Sequence, residues 1–411
     1  MSILELTPHA PHPFFDVVDD SLFVAGRSIV DVAAEAGQTP FYVYAARHMT
    51  ERVGLLRDLF SNDVRLHYSI KANPMPAVVQ HMAKLVDGID VASSGELKLA
   101  LQTGVGPRRI SFAGPGKRLQ ELRDAVDAHV VINIESETEL DRLMTLSRLN
   151  DHRPRIAVRI NPAFELRGSG MKMGGGAKPF GIDADRVPDL LRRMRRLPIE
   201  FVGFHIFSGS QNLKAASIVE AQEQAIALAI ELADFAPSPV QAVSIGGGLG
   251  IPYFPGDQPV DLEPIGTAFR KLAASCRQRL GADLVVELGR YLVGEAGLYV
   301  STVVDRKISR GTVFLVTDGG LHHHLAASGN FGQVLRKNYP VLIGNRVRGQ
   351  ERECVNVVGP LCTPLDIIAH QADLTKAGVG DLVVVLQSGA YGFTASPIGF
   401  LSHPPPVELL I

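Results

Sequence analysis

Lys71 stands in the run Tyr68-Ser69-Ile70-Lys71-Ala72-Asn73-Pro74, directly behind a short β-branched and apolar stretch. A lysine delivered by a strand end is a potential amine nucleophile. Two glycine-bearing runs lie far downstream, Gly246-Gly247-Gly248-Leu249-Gly250 and Glu287-Leu288-Gly289-Arg290. Backbone N–H groups in such loops, joined by a guanidinium, suit a phosphate. A lysine plus a phosphate cradle is what pyridoxal phosphate chemistry requires: the amine binds the cofactor covalently and the cradle anchors it. Each signal alone has a plain counterpart, a solvated lysine or a set of tight turns. Two rival readings of the glycines fail. Pro252 and Pro255 stand where a dinucleotide-binding helix would begin, and Gly114-Pro115-Gly116-Lys117 lacks the spacing and hydroxyl of a P-loop.

What raises these residues above chance is the set of elements that must carry them. Apolar runs at 64–70, 86–92, 108–113, 129–134, 154–160, 200–207, 240–245 and 283–288 alternate with stretches of helical period. Those stretches fall at 74–85, 94–103, 117–127, 137–149, 184–197, 214–235 and 261–279, with another at 47–60 ahead of the first strand. Eight of each predict right-handed βαβ units closed into an α/β (β/α)8 barrel of the TIM type, with a doubly wound open sheet as the alternative. Barrels build their sites at the C-terminal ends of strands. Here those ends are Lys71, Ser93 and Ser94, Gly114, Glu135, Asn161, His205 and Phe207, Gly246–Gly248, and Glu287–Arg290. Beyond 290 strand-like runs are separated by Gly-, Asn- and Pro-rich turns, which predicts a C-terminal antiparallel β domain. The reading is an N-terminal strand segment (1–45) joining that β domain, a barrel (46–292) and the β domain itself (293–411).

Lys and Arg total 41 against 43 Asp and Glu, a formal charge of −2, so nothing marks a nucleic-acid or anionic membrane surface. No apolar run approaches a spanning helix and no secretory signal opens the chain. Three cysteines, Cys276, Cys354 and Cys362, at no metal or disulfide spacing point to a reducing, cytoplasmic setting.

The lysine motif resembles that of the fold-type III pyridoxal phosphate decarboxylases, the diaminopimelate, ornithine and arginine decarboxylase family. Asp90-Val91-Ala92-Ser93-Ser94-Gly95-Glu96-Leu97, Gly209-Ser210-Gln211, Gly246-Gly247-Gly248, Glu287-Leu288-Gly289-Arg290, Cys362-Thr363-Pro364-Leu365-Asp366 and Gly389-Ala390-Tyr391 follow in that family's order. The resemblance runs from about 40 to the end, and is strongest to the subgroup associated with bacterial exosortase systems. It implies an alanine racemase-like barrel with a β domain, and an amino-acid decarboxylase. It further implies that Lys71 carries pyridoxal phosphate and that Glu287 pairs with the ring nitrogen. Ser210, Gly248, Gly289, Arg290 and Tyr391 would hold the phosphate. Cys362 would reach across a homodimer into the partner's site and return a proton.

The sequence also departs from the family. Phe207 stands where a histidine normally faces the cofactor ring; His205, two residues earlier on the same strand face, is the other candidate. Leu288 replaces a usual proline. Thr363 replaces the acidic residue after the cysteine, and Ala326 and Asn330 map near the Arg and Tyr that bind the distal carboxylate of diaminopimelate. His322, His323 and His324 precede them; on a strand they would alternate faces, so a substrate role for His322 and His324, with Thr363 and Asp366, is expected and no metal site. The Gly-rich stretch 167–176 has the composition of a mobile lid. These departures predict a substrate without a distal ammonium, an acidic amino acid or one tethered to a carrier protein. Diaminopimelate decarboxylation, a racemase of the same fold and a non-catalytic cofactor-binding regulator are the alternatives. Racemases of this fold put an arginine at the ring nitrogen, which Glu287 argues against.

Overall fold

The structure is a computed structural model that describes residues 9–150, 153–168 and 170–411. Two compact units emerge. One comprises Glu51–Ile251 and Val260–Gly289; the other comprises residues 9–50, Pro252–Pro259 and Arg290–Ile411. The sequence-based edges at 45/46 and 292/293 fall a few residues away from these, and the excursion at Pro252–Pro259 has no counterpart in them. Its prolines keep this segment out of the helix that begins at Leu262.

The first unit is a closed parallel barrel. Its strands are β1 (Val64–Ser69), β2 (Gly88–Val91), β3 (Ile110–Phe112), β4 (Val131–Ile134), β5 (Arg155–Asn161), β6 (Glu200–Ile206), β7 (Ala242–Ser244) and β8 (Asp283–Leu288). Each pairs in parallel with its neighbour in space, and both the β8–β1 and the β4–β5 pairings are made, so no edge is left. Helices from Pro76–Ala83 to Leu262–Leu280 connect the strands. The latter shows why the sequence breaks where it does. Asp261 caps its N-terminus by accepting from the Glu263 amide, Gly281 ends it in the left-handed conformation (φ +67°), and Ile265, Phe269, Leu272 and Cys276 form its buried stripe.

The second unit is built around the long strand Gly297–Ser309, which pairs antiparallel with Thr312–Thr317, Leu382–Val385 and Phe41–Tyr44. Two parallel pairings, Thr312–Thr317 with Arg352–Val358 and Val407–Leu410 with Phe41–Tyr44, make the sheet mostly rather than wholly antiparallel. Its core gathers Leu298, Val300, Val384, Phe41 and Val43, all fully buried. Among the described residues no helix is long and apolar enough to cross a membrane.

Candidate active site

Lys71 lies in the single 3-10 turn Ile70–Ala72 that leaves β1, with its side chain exposed. Its Nζ stands 5.6 Å from the centre of the Phe207 ring, which follows β6. That ring rests on Gly246, where a Cβ would come within 2.4 Å of it. Gly246 and Gly248 take φ +62° and +81°, conformations a side chain would strain. The loop bearing Ser210 is laced to these glycines: the Asn212 amide donates to the Gly248 carbonyl (3.0 Å) and the Gly250 amide to the Asn212 carbonyl (2.9 Å). At the end of β8, a Cβ on Gly289 would meet the Ala72 methyl at 2.8 Å, so the bare backbone passes close beneath the lysine's turn.

Glu287 is the inward-facing carboxylate of β8, its side chain 9% exposed. Ser244 Oγ on β7 donates to Oε1 (2.5 Å) and His205 Nε2 meets Oε2 (3.1 Å). Burial alone would raise its pKa. The His205 imidazole, by charge and hydrogen bond, then the Ser244 hydroxyl and His67, outweigh burial and bring it from 4.5 down to about 2. Glu287 is therefore an anion at any working pH. His205 is spent on holding it, which leaves Phe207 as the ring beside the lysine; the two rings lie parallel, 6.4 Å apart.

These barrel groups fit pyridoxal phosphate on three counts. An exposed amine sits against an aromatic ring, a fixed anion suits a protonated ring nitrogen, and a left-handed glycine cradle suits a phosphate.

The second unit holds the remaining sequence-derived candidates. Arg290 donates to the Tyr253 hydroxyl (2.8 Å) and lies over the rings of Tyr253 and Tyr391, 5.2 and 4.6 Å away. Tyr391 adopts φ +54°, a strained value that points to a fixed position. Cys362 is exposed, whereas burial pushes the Cys276 thiol up to about 11 and makes it inert. Thr363 is half-buried beside Cys362.

Three expectations need correction here. His322, His323 and His324 do not lie on a strand but in a turn, where the amides of His323 and His324 both donate to the Gly320 carbonyl. All three are buried, and burial, helped at His322 by His323 and His403, lowers their pKa values to about 3, 4 and 3. They are neutral and offer an anion no charge. His324 has both nitrogens engaged, with Ser388 Oγ and the Ala327 amide, so it holds the fold; both nitrogens of His322 are without a partner. Asp366 likewise has both oxygens taken, by the amides of Leu321 and Leu361. It ties the histidine turn to the cysteine loop and is not available to a substrate.

The third correction concerns the stretch read as a lid, of which Ser169 lies outside the described residues. Met171–Lys172 pairs antiparallel with Gly209–Ser210, and the Gly175 amide donates to the Pro162 carbonyl. A segment so tied is part of the mouth, not a free flap. Sequence reasoning missed Ser244 and His67, and quoted Asp90 within a motif without giving it a role. Their signal was period two: each precedes a strand-end residue by an even number of positions and so points inward with it.

The pyridoxal-binding domain of the pyridoxal-dependent decarboxylases matches residues 46–294. The L-glutamyl-[BtrI acyl-carrier protein] decarboxylase of Niallia circulans is 35% identical over 384 residues, covering 91% of this chain and 89% of that protein. The diaminopimelate decarboxylase of Aquifex aeolicus is 31% identical over 94% of this chain and 89% of its own. The solved diaminopimelate decarboxylase of M. jannaschii superposes with a TM-score of 0.88 over 97% of this chain and 93% of that one, at 24% identity.

Proposed function

The chain belongs to the pyridoxal-dependent decarboxylase family, as a carboxy-lyase acting on amino acids through pyridoxal phosphate, and on that premise we propose that its substrate is an amino acid held on a carrier protein. The observation that carries the reading is that none of the residues expected to recognise a distal group offers it an uncommitted charge. Thr363 and Ala326 are neutral, His322 is neutral, and Asp366, the one carboxylate of the 361–366 loop, is bound by two backbone amides. A distal ammonium or carboxylate placed among these residues would be unpaired, at a cost of several kcal/mol.

Chemistry narrows the linkage. The α-amine and α-carboxylate must both be free for decarboxylation, so a tethered substrate hangs from its side-chain carboxyl. That carboxyl is then an uncharged acyl group, which a neutral pocket accepts. The Niallia relative acts on an L-glutamyl carrier protein, which makes a glutamyl carrier the first candidate.

When bound, pyridoxal phosphate supplies an electron sink for the bond between Cα and the carboxylate. The chain's own residues do the rest in this reading. Lys71 would hold the cofactor through its amine, and Glu287 would keep the ring nitrogen protonated. Gly248, Gly289 and Ser210 would hold the phosphate, Arg290 and Tyr391 are further candidates for it, and Phe207 would offer its face to the ring. The exposed Cys362 of one protomer would return a proton to Cα in the partner's site, and the working unit would then be a homodimer. Glu287 at the ring nitrogen argues against the racemase, and retention of both Lys71 and Cys362 against the regulator.

The test is CO2 release from purified, cofactor-loaded protein. L-glutamyl carrier protein should exceed free glutamate, diaminopimelate, ornithine and arginine by about 100-fold or more in kcat/KM. Diaminopimelate turnover at about 10⁴ M⁻¹s⁻¹ or above, the lower end for ordinary enzymes, would overturn the proposal.

A further inference from the structure

Barrel interiors are ordinarily filled by layers of Val, Ile and Leu. In this barrel the layer just below the strand ends is polar and contains two buried carboxylates, Glu287 on β8 and Asp90 on β2. Between them stands His67 on β1. Strand register sets His67 opposite Glu287 on one side and Gly88 on the other. The imidazole occupies the space a side chain at 88 would need: a Cβ there would lie 2.3 Å from its Nε2. His67 Nδ1 meets Asp90 Oδ1 at 3.0 Å, Ser111 Oγ donates to the same oxygen (2.6 Å), and Asp90 Oδ2 is buried without a partner. A cavity of about 570 Å3, lined by His67, Ser111, Asn133 and Glu287 among others, lies beneath.

Two carboxylates in one buried layer cannot both stay ionised without a cation. Asp90 shows the strain, its pKa raised by burial and then by Glu287. Burial alone would lower the pKa of His67, but Asp90, then Glu287 and Asp87, reverse that and raise it. The other nearby cations are spent elsewhere: Arg65 pairs with Asp283, Arg57 with Asp87, and Arg109 donates to the carbonyls of Val86 and Asp87. His205 is bound to Glu287 itself.

We propose that His67 is a positioning residue: as an imidazolium seated on Gly88 and fixed by Asp90, it balances the two buried carboxylates and so keeps Glu287 the anion that the cofactor's ring nitrogen would pair with. The inference rests on the cofactor reading above and extends it to a group the reaction does not touch. It predicts that the charge of His67, and not its bulk, is what matters, and that removing Asp90's charge makes His67 dispensable.

The experiment uses full-length protein and needs no substrate. His67→Phe keeps a ring in the Gly88 slot without charge, His67→Gln keeps a donor without charge, and His67→Phe/Asp90→Asn removes both members. Pyridoxal phosphate affinity and the visible spectrum of bound cofactor are followed from pH 4 to 9, with circular dichroism as the check on folding. Wild-type protein should show one spectrum across this range. His67→Phe and His67→Gln should each show a spectrum that titrates within it and a dissociation constant raised about tenfold or more. The double variant should return to within about threefold of wild type. A folded single variant with wild-type spectrum and affinity overturns the inference, as does a double variant no better than His67→Phe, which would make His67 a packing residue. If His67→Phe does not fold, His67→Gln decides the question by the same two readouts. Wild-type protein that takes up no cofactor would overturn the site reading and this inference together, an outcome distinct from the others.

Discussion

Ser244 and His205 are the two side chains hydrogen-bonded to Glu287, and removing them in turn gives a stepwise outcome. Ser244→Ala deletes one hydrogen bond of 2.5 Å to a carboxylate in a buried site. Bonds to charged groups contribute about 1.5–3 kcal/mol, equivalent to a rise of about 1–2 in the pKa of Glu287 at 1.36 kcal/mol per unit. From about 2 the carboxyl moves to about 3–4, still fully ionised at pH 7.5. The single variant should therefore lose less than about tenfold in kcat/KM at that pH. Adding His205→Asn removes the larger influence, so the carboxyl of the double variant should rise to about 5 or more. Its acid limb, read from kcat and from the visible absorbance of bound cofactor, should then enter the range between pH 5 and 6. The sign for stability is the same. Because the folded pKa lies below the unfolded value, Glu287 contributes about 3 kcal/mol above pH 4.5 that is lost as pH falls toward 2. Ser244→Ala should surrender part of that margin. A folded Ser244→Ala protein that loses more than about 100-fold at pH 7.5, or a double variant with an unshifted acid limb, would refute the assignment of Glu287's charge to these two partners.

Two further outcomes follow from the site. Borohydride treatment of cofactor-loaded protein should fix pyridoxal phosphate on the peptide containing Lys71, read by mass spectrometry; label on any other lysine, or none, refutes that role. Lys71→Ala and Cys362→Ala homodimers should each be nearly inactive, and random subunit exchange should restore about a quarter of wild-type activity, because half the dimers are mixed and each has one intact site. No recovery after proven exchange would place both residues in one protomer's site.

The barrel and the positions of its strand ends were legible because the patterns that mark them are local. Eight β-branched runs alternate with helical periods, and Lys71 and Glu287 announce themselves by following strand patterns. What the pattern did not disclose was decided by long-range contacts. Leu321–Ser328 looks strand-like and polar, yet it turns because Asp366, 45 residues on, accepts the Leu321 amide and Ser388, 64 residues on, takes His324. The Gly-rich stretch at 167–176 has the composition of a loose loop, but pairing with Gly209–Ser210 is set by a partner some forty residues away.

The polar interior was hidden for a different reason. In a strand buried on both faces, His67, Asp90 and Ser244 break an apolar run as a solvent-facing residue would, and sequence alone does not distinguish the two. Closure of the barrel does. Once β8 pairs with β1, the inward face has no solvent to turn to, and every polar side chain on it must find a partner there. Glu287 finds Ser244 and His205; Asp90 finds Ser111 and His67. The candidate catalytic residues stand at the strand ends, and the polar residues that fix their charge stand two to four positions earlier on the barrel strands.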